Sequence, residues 1–254
     1  MSGVGRFFIP ASSLMFAFIS LKKLVGRASL GFSIMLIGAS LMAEEQFLPT
    51  SATQPQRHIH FSNQELVQFN RQSFAGETQY QLVTHGDHWV LKAEAQGQAS
   101  ALYRKVDIDL TQTPILKWRW RVDRALTVEN PRQKDQDDYP ARVYVVVRDG
   151  FFPWQVLSLN YVWANHALAQ DSAHDSWNNP YTERAMMIPL RDQQDGLKIW
   201  KSESVNIIED FKRYFGKSVE RIEGIAIMTD ADNTGGHALA FYDGLTFTPD
   251  NSTP

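Results

Sequence analysis

Three stretches of this chain alternate strictly between apolar and polar residues, and that period limits the fold more than any other feature. Leu116, Trp118, Trp120 and Val122 alternate with Lys117, Arg119 and Arg121. Ala141, Val143, Val145 and Val147 alternate with Arg142, Tyr144 and Arg148, and Leu157, Leu159, Tyr161 and Trp163 with Ser158 and Asn160. A period of two sends successive side chains to opposite faces of a strand, whereas an amphipathic helix needs a period of 3.6. Shorter runs of the same kind at 80–84, 88–94, 101–109, 184–190, 197–205, 222–229 and 237–247 bring the candidate strands to about ten, too many for one flat sheet. The expected fold class is all-β: an antiparallel, two-sheet, jelly-roll-like sandwich.

One helix is expected to interrupt the strands. Asn206 can cap it, Glu209 stands three residues later, Ile207, Phe211 and the Tyr214/Phe215 pair make one apolar stripe, and Gly216 can end it. Such a helix would cover a sheet edge or one end of the core.

The chain has 254 residues, of which 43% are hydrophobic and none is cysteine. That is enough for a core without disulfides, and it excludes thiol nucleophiles and thiolate metal sites. Residues 1–43 hold four of the 25 Lys and Arg and none of the 28 Asp and Glu, so the remainder is net acidic. An acidic body lacks the basic footprint of a general nucleic-acid binder.

The N-terminus reads as an address. Lys22, Lys23 and Arg27 precede an apolar run from Ala28 to Ala43, which ends in small residues and passes into Glu44-Glu45. This is the layout of a secretory signal cleaved after Ala43, with translation starting at Met1 or Met15, and it places the mature protein in the periplasm or outside the cell. The competing reading is an uncleaved anchor, for which the run is short of the ~20 residues a spanning helix needs. Residues 44–57, with Pro49 and Pro55, read as a linker, leaving a single β-sandwich domain over 58–248.

The segments Trp118-Arg119-Trp120, Asp137-Asp138-Tyr139-Pro140-Ala141-Arg142-Val143-Tyr144, Asn160-Tyr161-Val162-Trp163-Ala164-Asn165, Asn179-Pro180-Tyr181-Thr182 and Met228-Thr229-Asp230-Ala231-Asp232-Asn233-Thr234 resemble the bacterial domain-of-unknown-function family 3047, in order and from about residue 60 to 248. That resemblance implies no reaction. The early strands, from Val90 to Trp118, are also similar in pattern to galactose-binding-like jelly rolls of carbohydrate-binding modules.

No Gly-x-Ser-x-Gly elbow, phosphate-binding loop, His-Glu-x-x-His or dinucleotide fingerprint follows the apolar N-terminus, so no catalytic residue is assigned. If the apolar halves of the three central strands face the core, Arg119, Arg121, Arg142, Tyr144, Ser158 and Asn160 share the opposite face. That would be an array suited to carboxylate, phosphate or sugar hydroxyls; the competing reading is an ordinary solvated face. Trp118, Trp120, Tyr161 and Trp163 belong to the core side, while Trp154, Trp177 and Tyr181 fall in expected loops.

Asp230, Asp232 and Asn233 concentrate oxygen donors in a turn, which suits either a structural calcium or plain turn hydrogen bonds. Asp137 and Asp138 read as partners of Arg142 or as an acid pair, and His174-Asp175 as an acid/base or metal pair. These residues point to a non-catalytic module for a saccharide or other acidic envelope component. The alternative is a polysaccharide lyase with Arg and Tyr144 in the reaction, or a glycoside hydrolase using carboxylates among Asp137, Asp138, Asp230 and Glu203.

Overall fold

The computed structural model describes residues 56–152, 154–165 and 176–251. Thirteen strands are present there: β1 (Arg57–Ile59), β2 (Asn70–Ala75), β3 (Gln79–His85), β4 (His88–Gln96), β5 (Ala99–Asp109), β6 (Ile115–Arg124), β7 (Ala141–Arg148), β8 (Val156–Trp163), β9 (Trp177–Asn179), β10 (Thr182–Arg191), β11 (Lys201–Asn206), β12 (Arg221–Asp230) and β13 (His237–Thr248). Two helices accompany them, α1 (Asn63–Leu66) and α2 (Ile207–Phe215). All ten strands expected from alternation are among the thirteen. The short β1, β2 and β9 and the single-turn α1 were not expected, because three to six residues give too short a pattern to read.

The strands form two sheets packed face to face. A six-stranded sheet runs β11-β6-β13-β4-β3, with β1 also paired to β13; a seven-stranded sheet runs β2-β5-β12-β7-β8-β10-β9. The fold is a jelly-roll-like β-sandwich with one departure from antiparallel pairing: β10 runs parallel to β8. A tight hairpin cannot join parallel neighbours. Here the chain between them is long enough to include β9, which pairs antiparallel with β10 on its far side.

The core lies between the sheets. Leu116, Trp118, Trp120 and Val122 from β6 meet Val143, Val145, Leu159, Tyr161 and Trp163 from β7 and β8, all at most 4% exposed. Trp120 packs edge-on against Trp163 with ring centroids 5.9 Å apart, and Trp118 lies 5.5 Å from Tyr161. Trp120 also donates its Nε1–H to Glu203 Oε1 at 2.8 Å, and Arg191 of the opposite sheet donates to the same carboxylate at 2.8 and 3.1 Å. Glu203, a candidate hydrolase carboxylate in the sequence, therefore ties the two sheets together at β11.

Helix α2 forms as its sequence requires. The Asn206 side chain accepts from Glu209 N at 3.3 Å, and Gly216 takes the left-handed conformation (φ +64°) that closes the helix. Ile207 and Phe211 are buried, and Asp210 accepts the Tyr161 hydroxyl at 2.8 Å, so the helix is fixed over one end of the core.

Candidate functional site

The structure divides the polar residues that alternation had placed on one face. β6 belongs to the six-stranded sheet, whereas β7 and β8 are neighbours in the other. Arg119 and Arg121 thus stand on one outer surface, and Arg142, Tyr144, Ser158 and Asn160 on the opposite one. Alternation along a strand fixes the face but carries no information about which strand lies beside it. A second expectation also fails: the outward residues of β7 and β8 are not solvated. Arg142 is 3% exposed, Tyr144 7%, Ser158 0% and Asn160 1%.

On the buried outer face, Arg142 organises the charges. Its Nε donates to Asp230 Oδ1 at 2.9 Å and its Nη2 donates to Asp230 Oδ2 and to the Asp137 carbonyl. Its Nη1 lies 3.3 Å from the Tyr144 hydroxyl and 3.7 Å from Asp137 Oδ2, and its guanidinium covers the Tyr139 ring at 4.3 Å. Burial works against the Arg142 charge, but Asp230, Tyr144, Asp137 and Tyr139 together outweigh it and raise its pKa. Burial pushes the Asp137 carboxyl up to about 6 against the pull of Arg142. Asn160 donates to Met187 Sδ at 3.3 Å, and Asn179 donates to Asp137 Oδ2 at 3.0 Å. Asp137 Oδ1, Ser158 Oγ and Asn160 Oδ1 are buried without a hydrogen-bond partner among the described residues.

The turn after β12 adjoins this cluster. Carboxylate oxygens of Asp138, Asp230 and Asp232 lie within 4.8 Å of one another. Of the three residues singled out in the sequence, Asp230 and Asp232 are brought together. Asn233 instead turns its amide to the Lys134 carbonyl at 2.9 Å. Asp138 accepts from Asn233 N, Thr234 N and Thr234 Oγ1 at 3.2, 2.7 and 2.7 Å, so the turn is anchored by a carboxylate from the loop before β7. Burial, followed by the neighbouring Asp138, pushes Asp232 up to about 6.

The outer face of the six-stranded sheet is open. A groove of about 410 Å³ runs across β11, β6 and β13, lined by Lys117, Arg119, Ser202, Ser204, Asp243 and Thr246. Its shape depends on a bulge: the β13–β6 register shifts between Asp243 and Leu245, and Gly244 takes φ +51°. A Cβ on Gly244 would meet the Ile59 carbonyl oxygen at 3.4 Å. At this point β13 exchanges its neighbour β4 for β1.

Arg119 pairs with Asp243 at 3.4 Å, and His88 approaches the same carboxylate at 3.3 Å. The Trp200 ring packs beside the Arg119 side chain. Arg119 and Arg121 lie over it at 5.2 and 5.3 Å, and His85 packs on it at 5.0 Å. Arg121 also lies over Phe241 at 4.2 Å, so both guanidinium planes are held by aromatic faces. Trp200, Ser202, Ser204 and Asp243 were missed in the sequence. For Ser202 and Ser204 the available signal was their shared parity on β11 with the outward residues of β6, and it becomes legible once Ser202 is known to stand opposite Arg119; Trp200, just before β11, and Asp243, on β13, carried no such signal. Trp177, expected in a loop, is a buried residue of β9. Trp154 is exposed and Tyr181 donates to the Lys134 carbonyl. His166 and the His174-Asp175 pair lie outside the described residues.

The model of the family described as "Protein of unknown function (DUF3047)" matches residues 67–246. The chain belongs to this family. No curated protein matches it. Among solved structures, this DUF3047 chain is similar to the family 11 carbohydrate-binding module of the cellulosomal cellulase Lic26A-Cel5E of Clostridium thermocellum, with a TM-score of 0.42 and 10% identity over 78% of this chain and 97% of that one. It is also similar to the xylan-binding module CBM86 from Roseburia intestinalis, with a TM-score of 0.31 and 14% identity over 77% and 96% of the two chains.

Proposed function

We propose that this protein is a non-catalytic module that holds a saccharide bearing acidic groups in the groove of the six-stranded sheet. The observation that carries this reading is the groove itself: an open channel in which Lys117 and Arg119 stand among the hydroxyls of Ser202, Ser204 and Thr246 and the carboxylate of Asp243. Cationic forks match carboxylates, and hydroxyls and a carboxylate match sugar hydroxyls. In this reading Arg119 lines the groove and takes the ligand-binding role, with Arg121, paired to Asp123 at 2.7 Å, beside it. For Arg142, Tyr144 and Asn160 the buried ion pair with Asp230 favours a structural role. Export to the periplasm or beyond belongs to the same proposal and rests on residues 1–43. N-terminal sequencing of protein recovered from the periplasm should begin at Glu44, and recovery of the full-length chain from the cytosol would contradict it. Among the described residues no helix is long and apolar enough to cross a membrane.

Binding is tested with arrays of acidic and neutral glycans against wild type and Arg119→Ala. Loss confined to acidic glycans supports the reading, and unchanged binding removes it. A second reading, a lyase or hydrolase, draws on the buried polar cluster, since perturbed carboxylates gather at reaction centres. Tyr144 beside Arg142, and Asp137 with a pKa near 6, are the groups it would use. Appearance of an unsaturated-uronate absorbance during incubation with acidic glycans would favour it over binding alone.

A further inference from the structure

The hairpin between β7 and β8 ends in an exposed aromatic knob. Phe151 is 91% exposed, Phe152 47% and Trp154 54%. Phe152 stacks on Trp154 with centroids 4.7 Å apart, and Phe151 meets Phe152 edge-on at 5.4 Å. Three large rings held together in water, with no part in the core, are the kind of apolar patch that marks an interaction site.

The knob is fastened from within by Gln155. Its Oε1 accepts from Phe152 N at 2.9 Å, its own N–H donates to the Phe152 carbonyl at 2.9 Å, and its carbonyl accepts from Asp149 N at 2.7 Å. Gly150 makes room for this side chain: a Cβ there would stand 2.5 Å from Gln155 Oε1. These bonds satisfy backbone groups inside the hairpin, which is the condition for entering a medium that offers no hydrogen bonds. Behind the rings lies a belt of ion pairs: Arg148 with Glu223 at 2.6 Å, and Arg184 and Lys217 both with Asp149, at 2.7 and 2.8 Å. Three cations share two carboxylates in this belt, and the last turn of α2 adds Lys212 and Arg213 on the approach to Lys217.

We propose that this knob docks on the interface of a phospholipid bilayer, with the rings among the acyl chain ends and headgroups and the Arg and Lys residues at phosphate level. A convex knob offers no cleft for a peptide or a sugar. Apolar rings backed by an excess of long cationic side chains match an interface whose outer layer carries phosphates. The knob shares no residue with the groove on the other sheet, so the proposal does not depend on the saccharide reading.

Because the chain has no cysteine, Phe151→Cys in the full chain accepts one environment-sensitive fluorophore at the tip, and Val67→Cys, at an 82% exposed position, provides the comparison. Phosphatidylcholine vesicles, with and without phosphatidylglycerol, are the probe. Emission from position 151 should shift to the blue and be quenched by brominated acyl chains while position 67 is unaffected. Phe152→Ser and Trp154→Ser should each lower vesicle partition of the tip by about tenfold or more. No shift at 151, or equal shifts at both positions, overturns the proposal. A shift that needs only higher protein concentration assigns the knob to a second copy, and one that needs only a soluble oligosaccharide assigns it to sugar stacking; either result also overturns it.

Discussion

Replacing Asp230 by Asn tests whether the buried charge cluster is structural. Asp230 is 2% exposed and both of its oxygens accept from Arg142, which is 3% exposed. Asn keeps the shape but removes the charge and presents an amide donor where the guanidinium also donates. Breaking one side of a buried ion pair costs about 3–5 kcal/mol because the other charge is left behind. Asp137 stands 3.7 Å from Arg142 Nη1 and can take part of the charge, so the lower end of that range, about 3 kcal/mol, is expected. For a domain of this size that corresponds to a fall of roughly 6–12 °C in Tm. Urea and thermal melts of wild type and D230N measure it directly. The double variant R142M/D230N should recover part of the loss, since no uncompensated cation remains in it. A D230N protein melting within about 1 °C of wild type would refute the reasoning.

Further outcomes follow from the same contacts. Asp137 is buried with its pKa raised to about 6 from 3.8, so the folded state holds a proton that the unfolded state releases. Asp137 should therefore make stability fall by about 3 kcal/mol as pH rises from about 4 to 6, and Asp232, also pushed up to about 6, acts in the same direction. Urea melts across that range should show the fall, and D137N should make it shallower by about 3 kcal/mol; a rise would contradict the assignment. Asn206→Ala removes the cap of α2 and should cost about 1 kcal/mol in a urea melt. Calcium titration decides between the two readings of the Asp230–Gly236 turn. The hydrogen bonds of Asp138 to residues 233 and 234 lead us to expect an unchanged Tm, and a calcium-dependent rise abolished by Asp232→Ala would reinstate the metal.

Much of the architecture is written locally. Leu116 to Val122 declares a strand with a wet side, and Asn206, Glu209 and Gly216 declare both ends of a helix, because alternation and capping act within a few residues. The sheet partners of those strands are not local. Arg142 finds Asp230 across 88 residues, while Asp137 and Asp138, which stand next to it in sequence, supply a carbonyl, a more distant carboxylate and a turn anchor. Nothing near Lys117 or Arg119 indicates that β11 will lie beside them with Ser202 and Ser204. The parallel course of β10 is equally hidden, since the chain direction is set by the connection and not by the alternating pattern of Met187 and Pro189. The outer face of β7 and β8 misled for a related reason: Ser158 and Asn160 look solvent-facing by residue type, and only tertiary packing buries them.

The central claim is that the groove of the six-stranded sheet binds acidic saccharide, and calorimetric titration of acidic and neutral oligosaccharides into wild type, Arg119→Ala and Trp200→Ala measures it most directly. Wild type should bind the acidic ligand more tightly than its neutral counterpart. Arg119→Ala should weaken the acidic ligand by about tenfold or more and the neutral one much less. Trp200→Ala, which removes the ring under Arg119 while Arg121 keeps Phe241, should do the same to a smaller degree without lowering Tm in proportion. Equal affinity for acidic and neutral ligands in all three proteins, or no binding by wild type at all, would contradict the account.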